Sequence, residues 1–233
     1  MKVLGQQVIN VSKNSESLPL DLAQIQALKK LVHSGEGYHL EFKRKATHPD
    51  KIVKELIAFA NSDGGIMLIG VDDDKSIPGL KYPEEELHAI HEILEKHCRP
   101  KLVFNERVIR LSEKYFVLHL DIPKSTKSPH YFVVTQDRKD AFIRVEDKCI
   151  RASREMREIM RRSRSKNGVK FIYGEKEDQL IKYLHQTPSI SLDEYQKMAT
   201  INRSSASKKL VLLVLGHVLK ITPTEKGDLY SRF

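Results

Sequence analysis

Tryptophan is absent from the 233 residues, and cysteine occurs twice, at Cys98 and Cys149. Two distant cysteines are neither a disulfide framework nor a metal cluster, so a reducing, cytoplasmic setting is expected. Glycine (11) and proline (9) are sparse, while 40% of residues are hydrophobic and 30% charged. That balance excludes a collagen-like, largely disordered or coiled-coil chain. Long hydrophobic runs are missing too. Ile66–Ile69 and Leu210–Leu215 fall far short of the ~20 apolar residues a bilayer requires, so no membrane partner is expected. The opening MKVLGQQVINVSKN has no continuous apolar stretch of the signal-peptide kind, and no secretory signal is expected. A Walker-type G-x4-G-K-[ST] is lacking, which argues against ATP hydrolysis.

What is present in excess is positive charge, +9 in total. Residues 1–150 contribute only +1 and residues 171–233 only +2. Residues 151–170 hold eight basic and two acidic side chains, a net of +6. A charge concentrated in this way favours polyanions, because each phosphate neutralised releases counterions. It is rich in arginine, whose guanidinium can pair with phosphate in a bidentate way. Arg154, Arg157, Arg161 and Arg162 are candidate phosphate contacts; a solvated helix face is the plainer alternative.

Periodicity predicts a helix over 20–32 and a short strand over 39–45, with Leu40 and Phe42 on one face. A helix opened by Pro49 runs to about Asn61, and Asn61-Ser62-Asp63-Gly64-Gly65 stops it. Ile66–Val71 reads as a fully buried strand. A helix over 83–97 follows, carrying His88, His91 and His97, which complete no zinc pattern. Residues 101–111 and 114–122 read as a strand pair; 131–135 and 141–145 as further strands; and 153–164 as a helix bearing the basic cluster. Strands mixed with helices indicate an α+β or α/β N-terminal domain. Helices over 175–185, 192–199 and 203–218 precede a hairpin signal around Thr224–Asp228, the pattern of a winged helix. The expected organisation is an irregular arm over 1–19, a domain over 20–164, a linker over 165–171 and a second domain over 172–233.

The first domain carries a multi-part motif. Glu36-Gly37-Tyr38-His39-Leu40-Glu41-Phe42-Lys43 is followed by Ala58-Phe59-Ala60-Asn61-Ser62-Asp63-Gly64-Gly65, then by Gly70-Val71-Asp72-Asp73-Asp74-Lys75 and Ile77-Pro78-Gly79. This succession resembles the Schlafen AlbA_2 family over residues 36 to about 162, and Phe142-Ile143-Arg144-Val145 matches the family's late strand with its arginine. The resemblance implies an α+β fold: a mixed sheet with flanking helices. Glu146-Asp147-Lys148-Cys149 stands where many members have a Gly-Ser-x-Thr-like turn. In Schlafen nucleases two Glu and one Asp hold a metal. Their motif maps here to Glu36, Glu41 and Asp74, the choice among Asp72, Asp73 and Asp74 being open. Three hard oxygen ligands suit Mg²⁺ or Mn²⁺, and such an ion can activate water against a phosphodiester. Many bacterial members instead look like transcription regulators, for which no cofactor is expected. Lys43 and Arg144 are then candidate phosphate contacts.

The segment 172–233 resembles a small winged helix-turn-helix domain. Its third helix opens with polar and basic residues and closes apolar, as a recognition helix does. Arg203, Ser204, Ser207 and Lys208 are the candidate contacts, with Lys226 at the wing tip. Two readings follow. One is a DNA-binding transcriptional regulator, expected as a homodimer, with a basic helix gripping phosphates. The other is a divalent-metal-dependent endonuclease acting on structured RNA through Glu36, Glu41 and Asp74.

Overall fold

The computed structural model describes residues 20–164, 170 and 172–233. The expected arm over 1–19, and residues 165–169 and 171 of the expected linker, lie outside the described residues. Among these there are seven helices and twelve strands. The first half comprises α1 (Leu22–Ser34), β1 (Leu40–Lys43), α2 (Pro49–Asn61), β2 (Gly65–Ile69), α3 (Pro83–His97), β3 (Cys98–Arg99), β4 (Asn105–Arg110) and β5 (Phe116–Ile122). Then come β6 (Tyr131–Val133), β7 (Lys139–Asp140), β8 (Phe142–Val145), β9 (Lys148–Arg151) and α4 (Arg154–Ser163). The C-terminal body holds α5 (Glu175–Gln186), β10 (Ile190–Ser191), α6 (Leu192–Ala199), α7 (Arg203–Leu215), β11 (Leu219–Thr222) and β12 (Leu229–Arg232). No helix among them is long and apolar enough to cross a membrane.

A four-stranded sheet in the order β1-β2-β5-β4 organises the first domain. β1 and β2 are parallel, with Leu40 opposite Ile66, and α2 makes the crossover between them. The β2–β5 and β5–β4 pairs are antiparallel, so the expected hairpin over 101–122 forms as β4 and β5. Both sheet faces are covered. Met67 and Ile69 pack with Leu118 and Leu120 against α2 and α3. Leu68, Leu40 and Phe42 face Leu28 and Val32 of α1. This explains the unbroken apolar run in β2, since a strand covered on both faces has no polar side. Each such side chain, fully withdrawn from water, contributes roughly 1.5–3 kcal/mol.

Two short sheets complete this domain: β3-β6-β7 and the β8–β9 hairpin. Ala141, Ile143, Ala152 and Met160 form a small core under the hairpin and α4. The two-residue strands escape sequence reading because they are too short to show a period, and β9 because its apolar residues, Cys149 and Ile150, are adjacent and do not alternate. The C-terminal body has its own core, in which Leu180, Tyr195, Leu210, Leu213, Leu219 and Tyr230 are buried. Its strands pair in the order β10-β12-β11.

Candidate functional site

Alternation along β1 creates the polar centre of the first domain. Leu40 and Phe42 turn into the α1-side core, so the period of two sends Glu41 and Lys43 to the opposite face. Here Arg144 of β8 reaches in with its side chain 1% exposed, and its Nη1 lies 2.9 Å from Glu41 Oε2. Its Nη2 donates to the Gly37 carbonyl at 2.8 Å, and the guanidinium lies 4.7 Å from the centroid of the Phe59 ring. Lys43 Nζ donates to the other Glu41 oxygen and stands 3.5 Å from Glu55 Oε2. Two carboxylates and two cations thus share one largely buried pocket of charge.

The electrostatics follow from that burial. Desolvation, and then the neighbouring Glu41 charge, raise the Glu55 carboxyl to about 7. Burial opposes the Lys43 ammonium, yet the charges of Glu55 and Glu41 raise its pKa above the usual value. One oxygen of Glu55 and the Arg144 Nε are buried without a hydrogen-bond partner.

The glycine-rich motif after α2 serves this centre. Asn61 bridges three backbone groups: its side-chain oxygen accepts from His130 N–H at 2.7 Å, and its amide donates to the carbonyls of His130 and Phe142, both at 2.9 Å. Ser62 Oγ accepts from Arg144 N–H at 2.9 Å, which fixes the strand that supplies the arginine. Gly64 has φ +79, and a side chain there would lie 2.7 Å from the Ile122 carbonyl oxygen. At Gly65 a Cβ would run into the Phe59 ring. The motif is therefore a clamp of backbone and ring that holds β2, β5 and β8 around the charged centre.

The expected metal carboxylates are placed differently from a shared ion site. Glu36 accepts from Phe42 N–H at 2.7 Å. Partial burial of its carboxylate raises its pKa, with smaller contributions from the charges of Glu41 and Asp73. Asp74 is exposed and accepts from Ser76 N–H at 2.8 Å; hydrogen bonding from the Ser76 side chain, and then from this N–H, lowers its pKa. Glu41 spends both oxygens on Arg144 and Lys43. As arranged, Glu36, Glu41 and Asp74 do not fit one divalent ion, and no group of three or more His, Cys, Asp or Glu among the described residues does.

The basic candidates divide as well. Arg144 and Lys43 are committed to Glu41 and Glu55, so the expectation that Arg144 faces a phosphate does not fit a guanidinium sealed in the core. Arg203 pairs with Asp193. Ser207 Oγ donates to Glu155 Oε1 of α4 at 2.6 Å, so it is occupied inside the protein. Ser204, Lys208 and Lys226 are exposed. On α4, Arg154 and Arg161 are exposed and Arg157 and Arg162 half-buried. Arg161 pairs with Glu158 at 2.6 Å, and Arg157 donates to the Ser153 carbonyl at 3.2 Å.

Sequence reasoning missed Glu55. A signal existed, because Glu55 stands three residues after Ile52 and four before Phe59, on the buried stripe of α2. A carboxylate inside an apolar stripe marks a charged partner across the packing interface.

Solved structures similar to this chain include two of low identity. The N-terminal domain of a RecG-related protein from Nitrosomonas europaea is 23% identical, with 46% of this chain and 81% of that one covered and a TM-score of 0.39. The DIP2311 protein from Corynebacterium diphtheriae is 16% identical, with 89% of this chain and 38% of that one covered and a TM-score of 0.43. Residues 36–153 match the family described as Schlafen, AlbA_2. That match takes in the Glu41–Arg144 centre and the clamp around it, covers just over half of the sequence, and shows that the chain belongs to the Schlafen AlbA_2 family.

Proposed function

We propose that this protein binds nucleic acid and acts as a DNA-binding transcriptional regulator, working as a homodimer in the cytoplasm. The observation that carries the reading is the arginine face of α4. Arg154, Arg157 and Arg161 recur at helical spacing along it, Arg154 and Arg161 exposed and Arg157 half-buried, with Arg164 just past its end, and Met156 and Met160 pack beneath. A stripe of guanidinium groups on one helix is suited to phosphates spaced along a backbone. Membership of the AlbA_2 family supports the nucleic-acid assignment. The order of α5, β10, α6, α7, β11 and β12 resembles a winged helix, with Lys208 and Lys226 exposed on the helix and the wing.

The test is binding of labelled duplex DNA and structured RNA over a salt series, with Mn²⁺ or EDTA. The expected outcome is intact, shifted DNA whose affinity falls with salt, and a shallower salt slope in Arg154→Ala/Arg161→Ala. Metal-dependent cutting of either substrate would favour the endonuclease instead, and absence of binding would end both readings.

A further inference from the structure

The two basic segments are not separate. Helix α4 packs against α7, joined by the Ser207–Glu155 hydrogen bond. Ile159 and Val211 each lie one turn beyond that bond on their own helix and are 7% and 2% exposed. Neither belongs to the apolar core of its own body, so their burial locates them at the seam. A second set of contacts reinforces it. Ser153 caps α4 by accepting from Met156 N–H at 2.8 Å and donates its hydroxyl to Asp228. Lys148 of β9 pairs with Glu225 between β11 and β12 at 3.0 Å.

The helical period then decides which side chains border the seam. On α4, Met156 and Met160 turn to the β8–β9 core. Glu155 and Ile159 turn to α7, and Arg162 and Arg154 lie on the far flank. On α7, Ala206, Leu210 and Leu213 turn to the C-terminal core. Ser207 and Val211 turn to α4, and Ser204 and Lys208 lie on the far flank. The β11–β12 hairpin lies on the core side of α7, and β8–β9 lies on the core side of α4. These two hairpins touch each other through Lys148 and Glu225, so both core sides close on the same side of the seam. Arg154 and Arg162 therefore open onto the same solvent face as Ser204 and Lys208.

We propose that this two-helix face is a single docking surface for the backbone of duplex DNA, with α4 and α7 acting together while docked. The proposal rests on the nucleic-acid reading above and deepens it. Packed helices run about 8–10 Å apart, which lies between the widths of the minor and major grooves, about 6 and 12 Å. Cations on the two helices can thus reach phosphates on both walls of one groove. Arg154, Arg162 and Lys208 form no ion pair among the described residues, so binding breaks none of the described pairs to free them.

A disulfide lock tests it. Glu155→Cys/Ser207→Cys replaces the two hydrogen-bonded side chains, and oxidation holds the seam shut in the full-length protein. The oxidised protein is expected to bind duplex DNA as tightly as the reduced form, within about twofold. In that locked background, Arg154→Ala/Lys208→Ala is expected to lower the log–log salt slope by about 2, at about 0.9 per phosphate lost. Ser207→Trp opens the seam without changing charge, and faster thiol labelling of an added Val211→Cys reads that opening. This variant is expected to weaken binding while the thermal transition of the first domain stays in place. Loss of binding on oxidation that a reductant reverses would overturn the proposal, because the docked state would then hide the surface. Unchanged affinity in Ser207→Trp, with labelling at position 211 showing the seam open, would overturn it as well. Failure of the wild type to bind any duplex would instead remove the underlying reading.

Discussion

Replacing Arg144 by Met probes whether the charged centre holds the first domain together. The substitution preserves the aliphatic length and removes the guanidinium. Glu41 then keeps one oxygen on Lys43 and loses its partner at 2.9 Å, while the Gly37 carbonyl loses its donor. Breaking a buried ion pair from one side costs about 3–5 kcal/mol, because a charge is left uncompensated. Lys43 remains beside Glu41, so the lower end is expected, about 3 kcal/mol. For a chain of this size that is a fall in Tm of roughly 6–12 °C. Thermal unfolding followed by calorimetry reads it. Glu41→Gln alone is expected to cost a similar amount, since it strands Arg144. The double variant Glu41→Gln/Arg144→Met is expected to cost less than the two single costs together by more than about 1 kcal/mol, as contacting residues do. A single-variant cost below about 1 kcal/mol, or additivity within about 0.5 kcal/mol, would refute the reasoning and make the pair incidental.

Three further outcomes are expected. Because Glu55 has a folded pKa of about 7, the folded state holds more protons than the unfolded one between about pH 4.5 and 7. Stability therefore declines as pH rises through that window and levels off above it, and Glu55→Gln flattens the decline; urea titrations across pH check this, with about 3 kcal/mol at stake. Gly65→Ala drives a Cβ into the Phe59 ring and is expected to cost about 1–3 kcal/mol as overpacking, measurable by the same titration. Asn61→Ala leaves the His130 N–H and two carbonyls unpaired and is expected to cost at least about 2 kcal/mol, with amide exchange accelerated at His130.

Sequence alone determined the elements whose signal is local. Pro49–Asn61 and Pro83–His97 appear as read, because proline at the first helical turn and an unambiguous stop are local chemistry. The buried character of β2 was legible in its unbroken apolar run, and the placing of Glu41 opposite Phe42 in the period of β1. The multi-part motif was also legible, and with it the family. What the motif does was not. Glu41 reads as a metal ligand in one dimension and becomes the partner of Arg144, more than a hundred residues away. Glu55 joins them only because α2 crosses over the β1–β2 pair. Ser207 reads as a base contact and is claimed by Glu155, because α4 and α7 meet across two bodies that sequence treats separately. Pattern reports which face a residue takes on its own element. Which charges then neutralise one another depends on the partner that packing brings to that face, and only the tertiary structure decides that.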